Sequence, residues 1–191
     1  MQQNQNIVSI LLFLAICISV SASLQVFQQS FIYRSEFGMS ELWRWWTAHW
    51  VHVGWMHFVL NMLAFICLPF IFPQINKRFL IALLLILPPL ISTGFYFLFP
   101  DVEAYAGLSG VLHGLYIACA VYGLQFKKER KFALLVIVLV MAKISWENIF
   151  GSTQTAELIG SPVLVEAHLL GTIFGVFGAL AYMLLHYFQR G

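Results

Sequence analysis

Five stretches of this chain run for the length of a membrane span without one Lys, Arg, Asp or Glu. They are the start through Tyr33, Arg44 to Lys77, Arg78 to Asp101, Glu103 to Lys127, and Glu166 to Arg190. A sixth, Phe132 to Phe150, is interrupted by Lys143 and Glu147 alone. A helix needs ~20 apolar residues to cross a bilayer. In lipid every backbone N–H and C=O must be satisfied within its own segment, which leaves the helix as the practical choice. Residues 7–27, 54–72, 79–98, 108–126, 132–150 and 167–188 are therefore expected to be helices. Together they would make an all-α membrane protein with a single six-helix domain over residues 1–191. Composition points the same way: 61% of residues are hydrophobic, 9% are charged, and mean hydropathy is +0.85. So few charges cannot cover that much apolar surface in water.

Smaller features refine this picture. A signal peptide carries positive charge before its apolar run, whereas MQQNQN before Ile7 has none. The first segment is therefore expected to be a retained helix, although Ser21-Ala22-Ser23 imitates a cleavage site. Cys17, Cys67 and Cys119 lie far apart in apolar stretches and read as small packing residues, not as disulfides or a zinc site. A net charge of +2, spread over short clusters, gives no basis for a nucleic-acid partner. Pro88-Pro89 is expected to kink the third segment, since proline removes a helical hydrogen bond.

Basic residues set the orientation. Lys77 and Arg78, then Lys127, Lys128, Arg130 and Lys131, then Arg190 all fall on one side if six helices alternate. The other side holds Glu36, Glu41, Asp101, Glu103, Glu157 and Glu166, with only Arg34 and Arg44. By the positive-inside rule both termini are cytoplasmic, and residues 28–53 form an external loop. Its tryptophans (Trp43, Trp45, Trp46, Trp50) suit the headgroup region.

Polar groups inside membrane helices are costly, so each one needs a reason. His57 and Asn61 share a face of the second segment, being four residues apart. Ser109 starts the fourth and His168 starts the sixth. The topology puts all four near the outer end of their helices, at one depth. A hydroxyl within ~3 Å of an imidazole requires close helix backbones. Gly110 and Gly114, and Gly171 and Gly175, are small-xxx-small pairs that permit such an approach. His168, Gly171, Gly175 and Gly178 form one stripe.

Gly107-Leu108-Ser109-Gly110, His57-x-x-x-Asn61, Ala167-His168-x-x-Gly171 and the earlier Trp43-Arg44 together resemble the motifs of rhomboid intramembrane serine proteases. The resemblance spans all six segments. It implies Ser109 as nucleophile and His168 as general base, in a dyad with no acidic third member. It also implies an oxyanion hole from His57, Asn61 and the backbone N–H groups of Ser109 and Leu108. A short fourth helix would leave a water-filled cavity open to the outside, and no cofactor or metal is expected. Most rhomboids have Tyr four residues after the nucleophile; here it is His113, expected beneath His168 to support the base by packing or a hydrogen bond, or else to transfer a proton. The runs Gly107–Gly114, Lys143-x-x-Trp146-Glu147 and Glu166-Ala167-His168-Leu169 look most like the rhombosortase branch. That resemblance implies a bacterial inner-membrane enzyme facing the periplasm. Its partners would be lipid and exported proteins with a C-terminal anchor of Gly-Gly, apolar helix and basic tail.

Other readings remain open on the residues alone. His57 and Asn61 can serve as interhelical hydrogen-bonding groups. Lys143 and Glu147, four apart, can be a structural ion pair or can bind a polar part of a substrate. His49 and His52 would brace the external loop, and His186 would lie at the cytoplasmic interface. Six histidines also allow haem or metal ligation through His57, His113 and His168. A rhomboid-like chaperone without proteolysis is the other rival.

Overall fold

The computed structural model describes residues 2–73 and 76–188. Arg190 and the side chain of His186, both used in the sequence reading, lie outside the described residues. The helices are α1 (Gln2–Gln25), α2 (Arg44–Thr47), α3 (Trp55–Ile71), α4 (Lys77–Leu98), α5 (Ser109–Gly123), α6 (Arg130–Phe150), α7 (Thr153–Ile159) and α8 (Val165–Phe188). Among the described residues, α1, α4, α6 and α8 are long and apolar enough to cross a membrane, while α3 and α5 are shorter apolar helices. The 15 residues of α5 span ~22 Å at 1.5 Å each, less than the ~30 Å hydrocarbon core.

The short α5 is the axis of the molecule. Gly110, Val111, Leu112, Gly114, Leu115, Ile117, Ala118, Cys119 and Ala120 are all buried. It packs on α8, α6, α4 and α3. The outer helices keep their large apolar side chains outward: Leu12 and Ile16 on α1, Val138 and Leu139 on α6, Phe177 and Leu184 on α8 are exposed. In water that surface would aggregate; in lipid it is the expected one. All three cysteines are free.

Three features were not anticipated: α2, α7, and a two-stranded antiparallel ribbon in which β1 (Tyr33–Arg34) pairs with β2 (Ala104–Tyr105). The ribbon joins residues 28–53 to the segment that leads into α5. Nor does every tryptophan of residues 28–53 face outward. Trp43 and Trp46 are exposed, but Trp45 is buried, packing on Tyr96 and donating from Nε1 to the Gly38 carbonyl. Arg44 is buried too; its Nη1 donates to the carbonyls of Gln29 and Ile32, and its Nε pairs with Glu41. One α1 side chain anchors this loop, for Gln25 bonds both the N–H and the C=O of His52, each at 2.7 Å.

Helix α4 runs through Pro88 and Pro89 without interruption. Because Pro89 has no N–H, the carbonyl of Leu85 has no helical donor. The Trp46 indole supplies one at 2.8 Å. His49 makes a second tie to α4: its Nε2 lies 3.1 Å from Ser92 Oγ, which donates to the Trp45 carbonyl.

Candidate active site

The turn before α5 is fixed from several sides. Gly107 N–H donates to the Ala48 carbonyl at 2.9 Å. The Tyr105 hydroxyl donates to the Gly107 carbonyl at 2.6 Å and accepts from Gly110 N–H at 3.4 Å. Burial pushes the Tyr105 phenol up to about 12, so it stays a donor. Gly107 adopts φ +147°, and a Cβ there would come within 2.7 Å of the His57 ring; both facts require glycine. This turn delivers Ser109 as the first residue of α5, where backbone N–H groups have no partner within the helix.

His168 is brought to it by backbone packing. A Cβ on Gly171 would lie 1.9 Å from the Gly110 carbonyl oxygen, one on Gly175 2.3 Å from that of Gly114, and one on Gly114 2.7 Å from that of Gly171. Helices α5 and α8 therefore touch backbone to backbone, as the paired small residues led us to expect. Gly178 departs from that stripe, since its missing Cβ faces Leu83 of α4. At the end of this seam formed by the first turns of α5 and α8, Ser109 Oγ lies 3.0 Å from His168 Nε2.

The other ring nitrogen reveals what sequence reasoning missed. His168 Nδ1 lies 2.7 Å from Glu147 Oε2, against the expectation of a dyad without an acidic neighbour. A carboxylate can only accept, so this contact suits the tautomer with the proton on Nδ1, the form whose Nε2 lone pair faces the serine hydroxyl. Glu147 is buried, and its Oε1 pairs with Lys143, a half-exposed side chain. A signal for this existed: Glu147 lies near the C-terminal end of α6, and alternating helix directions put that end level with the N-terminal ends of α5 and α8, where Ser109 and His168 lie. Its neighbour Lys143, at i−4, supplied a local explanation that concealed the partner on α8.

His113, one turn into α5, stacks on His168 with ring centroids 4.1 Å apart and planes 21° from parallel. Its Nδ1 bonds the Ser109 carbonyl at 2.8 Å. His57 and Asn61 reach the site from α3, lining the same cavity as Ser109 and His168. His57 Nδ1 and Asn61 Nδ2 are buried and make no hydrogen bond within the protein. Such nitrogens are costly unless something else uses them. The backbone N–H of Leu108, expected in the oxyanion hole, instead donates to His52 Nε2 at 3.4 Å; the imidazole from the loop reaches it first. His49 holds α4 through its side-chain contact with Ser92 and through a backbone contact at Pro88.

The cavity has a volume of about 630 Å³ and is mainly apolar, with Ser109, His57, Asn61, His113, Lys143 and His168 among its polar members. Donor atoms of His113, Glu147 and His168 lie within 4.8 Å of one another. The stacked rings, however, hold their in-plane lone pairs in separate, near-parallel planes, so these two imidazoles do not converge on one ion. What the arrangement can do chemically is deprotonate a serine hydroxyl beside unused N–H donors, in a site that admits water.

A known protein-family pattern matches the chain. The pattern described as the Rhomboid domain covers residues 39–186, which includes His57, Asn61, Ser109, His113, Glu147 and His168. No curated protein matches the chain.

Proposed function

The chain belongs to the rhomboid family, a family of intramembrane serine proteases, and on that premise we propose that it is a serine endopeptidase with Ser109 as nucleophile and His168 as general base. The observation that carries this reading is the 3.0 Å contact of Ser109 Oγ with His168 Nε2, across a helix seam that only glycine permits. In the first step Oγ attacks the scissile carbonyl carbon while its proton passes to Nε2. The oxyanion that forms is met by Ser109 N–H, Asn61 Nδ2 and His57. Each such donor is typically worth ~10²–10³ in rate. His168 then gives its proton to the leaving amine nitrogen as the C–N bond breaks. Water from the cavity hydrolyses the acyl-serine by the same proton route in reverse. His113 supports the base by stacking beneath it and by tying its own Nδ1 to the Ser109 carbonyl.

We read the six apolar helices as six spans, with both termini cytoplasmic and the site facing outward. The support is the one-sided clustering of Lys77, Arg78 and Lys127 to Lys131. An impermeant thiol reagent should fail to label cysteines placed at 125–131 from outside intact cells; ready labelling would reverse the orientation.

The substrate we propose is an exported protein with a C-terminal membrane anchor, cut at a Gly-Gly pair just before the apolar helix. A peptide must be extended at the serine, and each glycine lowers helix propensity by ~1 kcal/mol. An outward-facing site would meet the outer end of such a helix, and positive-inside logic puts the basic tail at the other end. The likeness to the rhombosortase branch supplies the Gly-Gly detail, and with it the bacterial inner membrane. Mass spectrometry of such a protein's mature C-terminus, co-expressed with this chain or with Ser109→Ala or His168→Ala, tests both levels. Loss of the anchor only with the intact enzyme is expected. Equal cleavage by Ser109→Ala refutes the peptidase; unimpaired cleavage after Gly-Gly→Leu-Leu refutes only the specificity.

A further inference from the structure

Glu147 occupies the position from which a carboxylate controls a catalytic histidine, although it lies on a third helix and also answers to a lysine. We propose that Glu147 is a positioning residue that fixes His168 in the Nδ1–H tautomer, and that Lys143 fixes Glu147 in turn. The inference rests on the peptidase reading above and extends it from two residues to a Lys143–Glu147–His168–Ser109 chain.

Three observations carry it. The contact from His168 Nδ1 to Glu147 Oε2 is 2.7 Å, and both residues are buried. The two carboxylate oxygens have different partners, Oε2 facing His168 and Oε1 facing Lys143. The opposite nitrogen of the same ring meets Ser109 Oγ at 3.0 Å. An imidazole with a free Nδ1 could carry its proton on either nitrogen, and the Nε2–H form cannot accept from serine. The carboxylate removes that ambiguity, and it stabilises the imidazolium that forms when Ser109 gives up its proton. The Nδ1 proton stays on the ring throughout; the transferred proton goes only from Oγ to Nε2 and on to the leaving nitrogen. Before reaction Lys143 balances the charge of Glu147, so a buried lone carboxylate is avoided. The other titratable groups facing His168 are His113 from α5, stacked on its ring, and His57 from α3, across the cavity.

The geometry makes an unusual demand on mutants. In Glu147→Gln, Lys143 still draws the amide oxygen, so the amide NH₂ is turned toward His168 Nδ1. That forces the Nε2–H tautomer and disables the base. Removing Lys143 as well frees the amide to rotate and offer its oxygen to Nδ1–H. A second mutation should therefore restore what the first destroyed, which a purely structural ion pair would never do.

The test follows labelling of Ser109 by a fluorophosphonate probe in the purified full chain, with thermal unfolding recorded alongside. Glu147→Gln should slow labelling ~10²-fold or more, since a wrong-tautomer substitution in a serine protease costs up to ~10⁴. Lys143→Met/Glu147→Gln should label at least tenfold faster than Glu147→Gln. ¹⁵N-histidine spectra of the unmutated protein should show His168 protonated at Nδ1, a reading that no folding defect can disturb. Labelling of Glu147→Gln within twofold of the parent, a double mutant no faster than the single one, or a His168 protonated at Nε2 would each overturn the inference. If the parent itself leaves Ser109 unlabelled, the peptidase reading fails first, and this inference falls with it.

Discussion

Replacing Gly171 by Ala tests whether helix packing sets the reaction geometry. The new Cβ would stand 1.9 Å from the Gly110 carbonyl oxygen, where real Cβ contacts are essentially never under 3.0 Å. The obstacle is backbone, so no side-chain rotation relieves it. Helix α8 must withdraw from α5 by about 1.1 Å at this level to reach 3.0 Å. Gly110 follows Ser109 directly, and Gly171 lies one turn from His168. The Oγ–Nε2 contact of 3.0 Å would then open to about 4 Å, beyond the ~3.2 Å reach of a useful hydrogen bond. A misplacement of ~1 Å can cost ~10² in rate, and overpacking of this kind costs ~1–3 kcal/mol in stability. Initial cleavage rates in lipid vesicles, read beside thermal unfolding, should show that loss in Gly171→Ala. Gly175→Ala, with its contact at 2.3 Å one turn deeper, should lose less. Gly54→Ala should lose nothing, because its Cβ meets no atom within 4 Å and its φ of −168° suits any residue. Wild-type turnover by a folded Gly171→Ala would refute the argument that the glycine seam positions the serine.

Asn61→Ala should leave slow cleavage, reduced ~10²–10³-fold with little change in KM, because Ser109 N–H and His57 remain; full activity would remove Asn61 from the oxyanion hole. Acid should loosen the loop of residues 28–53. Burial lowers both His49 and His52 from the usual 6.5 to about 3. Both are neutral in folded and unfolded chains above 6.5; between 6.5 and about 3 only the unfolded chain takes up their protons, so stability falls with pH. Each group contributes a slope of ~1.4 kcal/mol per pH unit in that window. His49→Gln should flatten the decline of the unfolding temperature between pH 6.5 and 4.5, and an unchanged decline would dismiss this role.

What the sequence could tell depended on how far each residue's meaning was local. Apolar helices were legible because lipid tolerates little else. Ser109 and His168 stood out because a polar side chain at that depth demands a partner, and the glycines showed which helices approach. Glu147 was seen as a charge within an apolar segment, but its partner His168 lies on another helix, and Lys143 at i−4 satisfied the local reading. The loop of residues 28–53 was the least legible part. Its shape comes from long-range ties, such as Tyr33 opposite Tyr105 and Gln25 on His52, that no periodicity announces. For the same reason Tyr105 was not singled out, and the capture of Leu108 N–H by His52 was invisible.

The proposed reaction requires Ser109 to form a covalent acyl intermediate with a membrane-anchored peptide and to pass it to water. The most direct measurement uses the purified chain in lipid vesicles, with a transmembrane peptide bearing Gly-Gly at its outer end, in H₂¹⁸O. Mass spectrometry should find a new C-terminus at that end carrying one ¹⁸O, together with an acyl adduct on Ser109 after rapid quenching, and neither with Ser109→Ala. Cleavage at the same rate by Ser109→Ala, or an adduct on any other residue, would contradict the account.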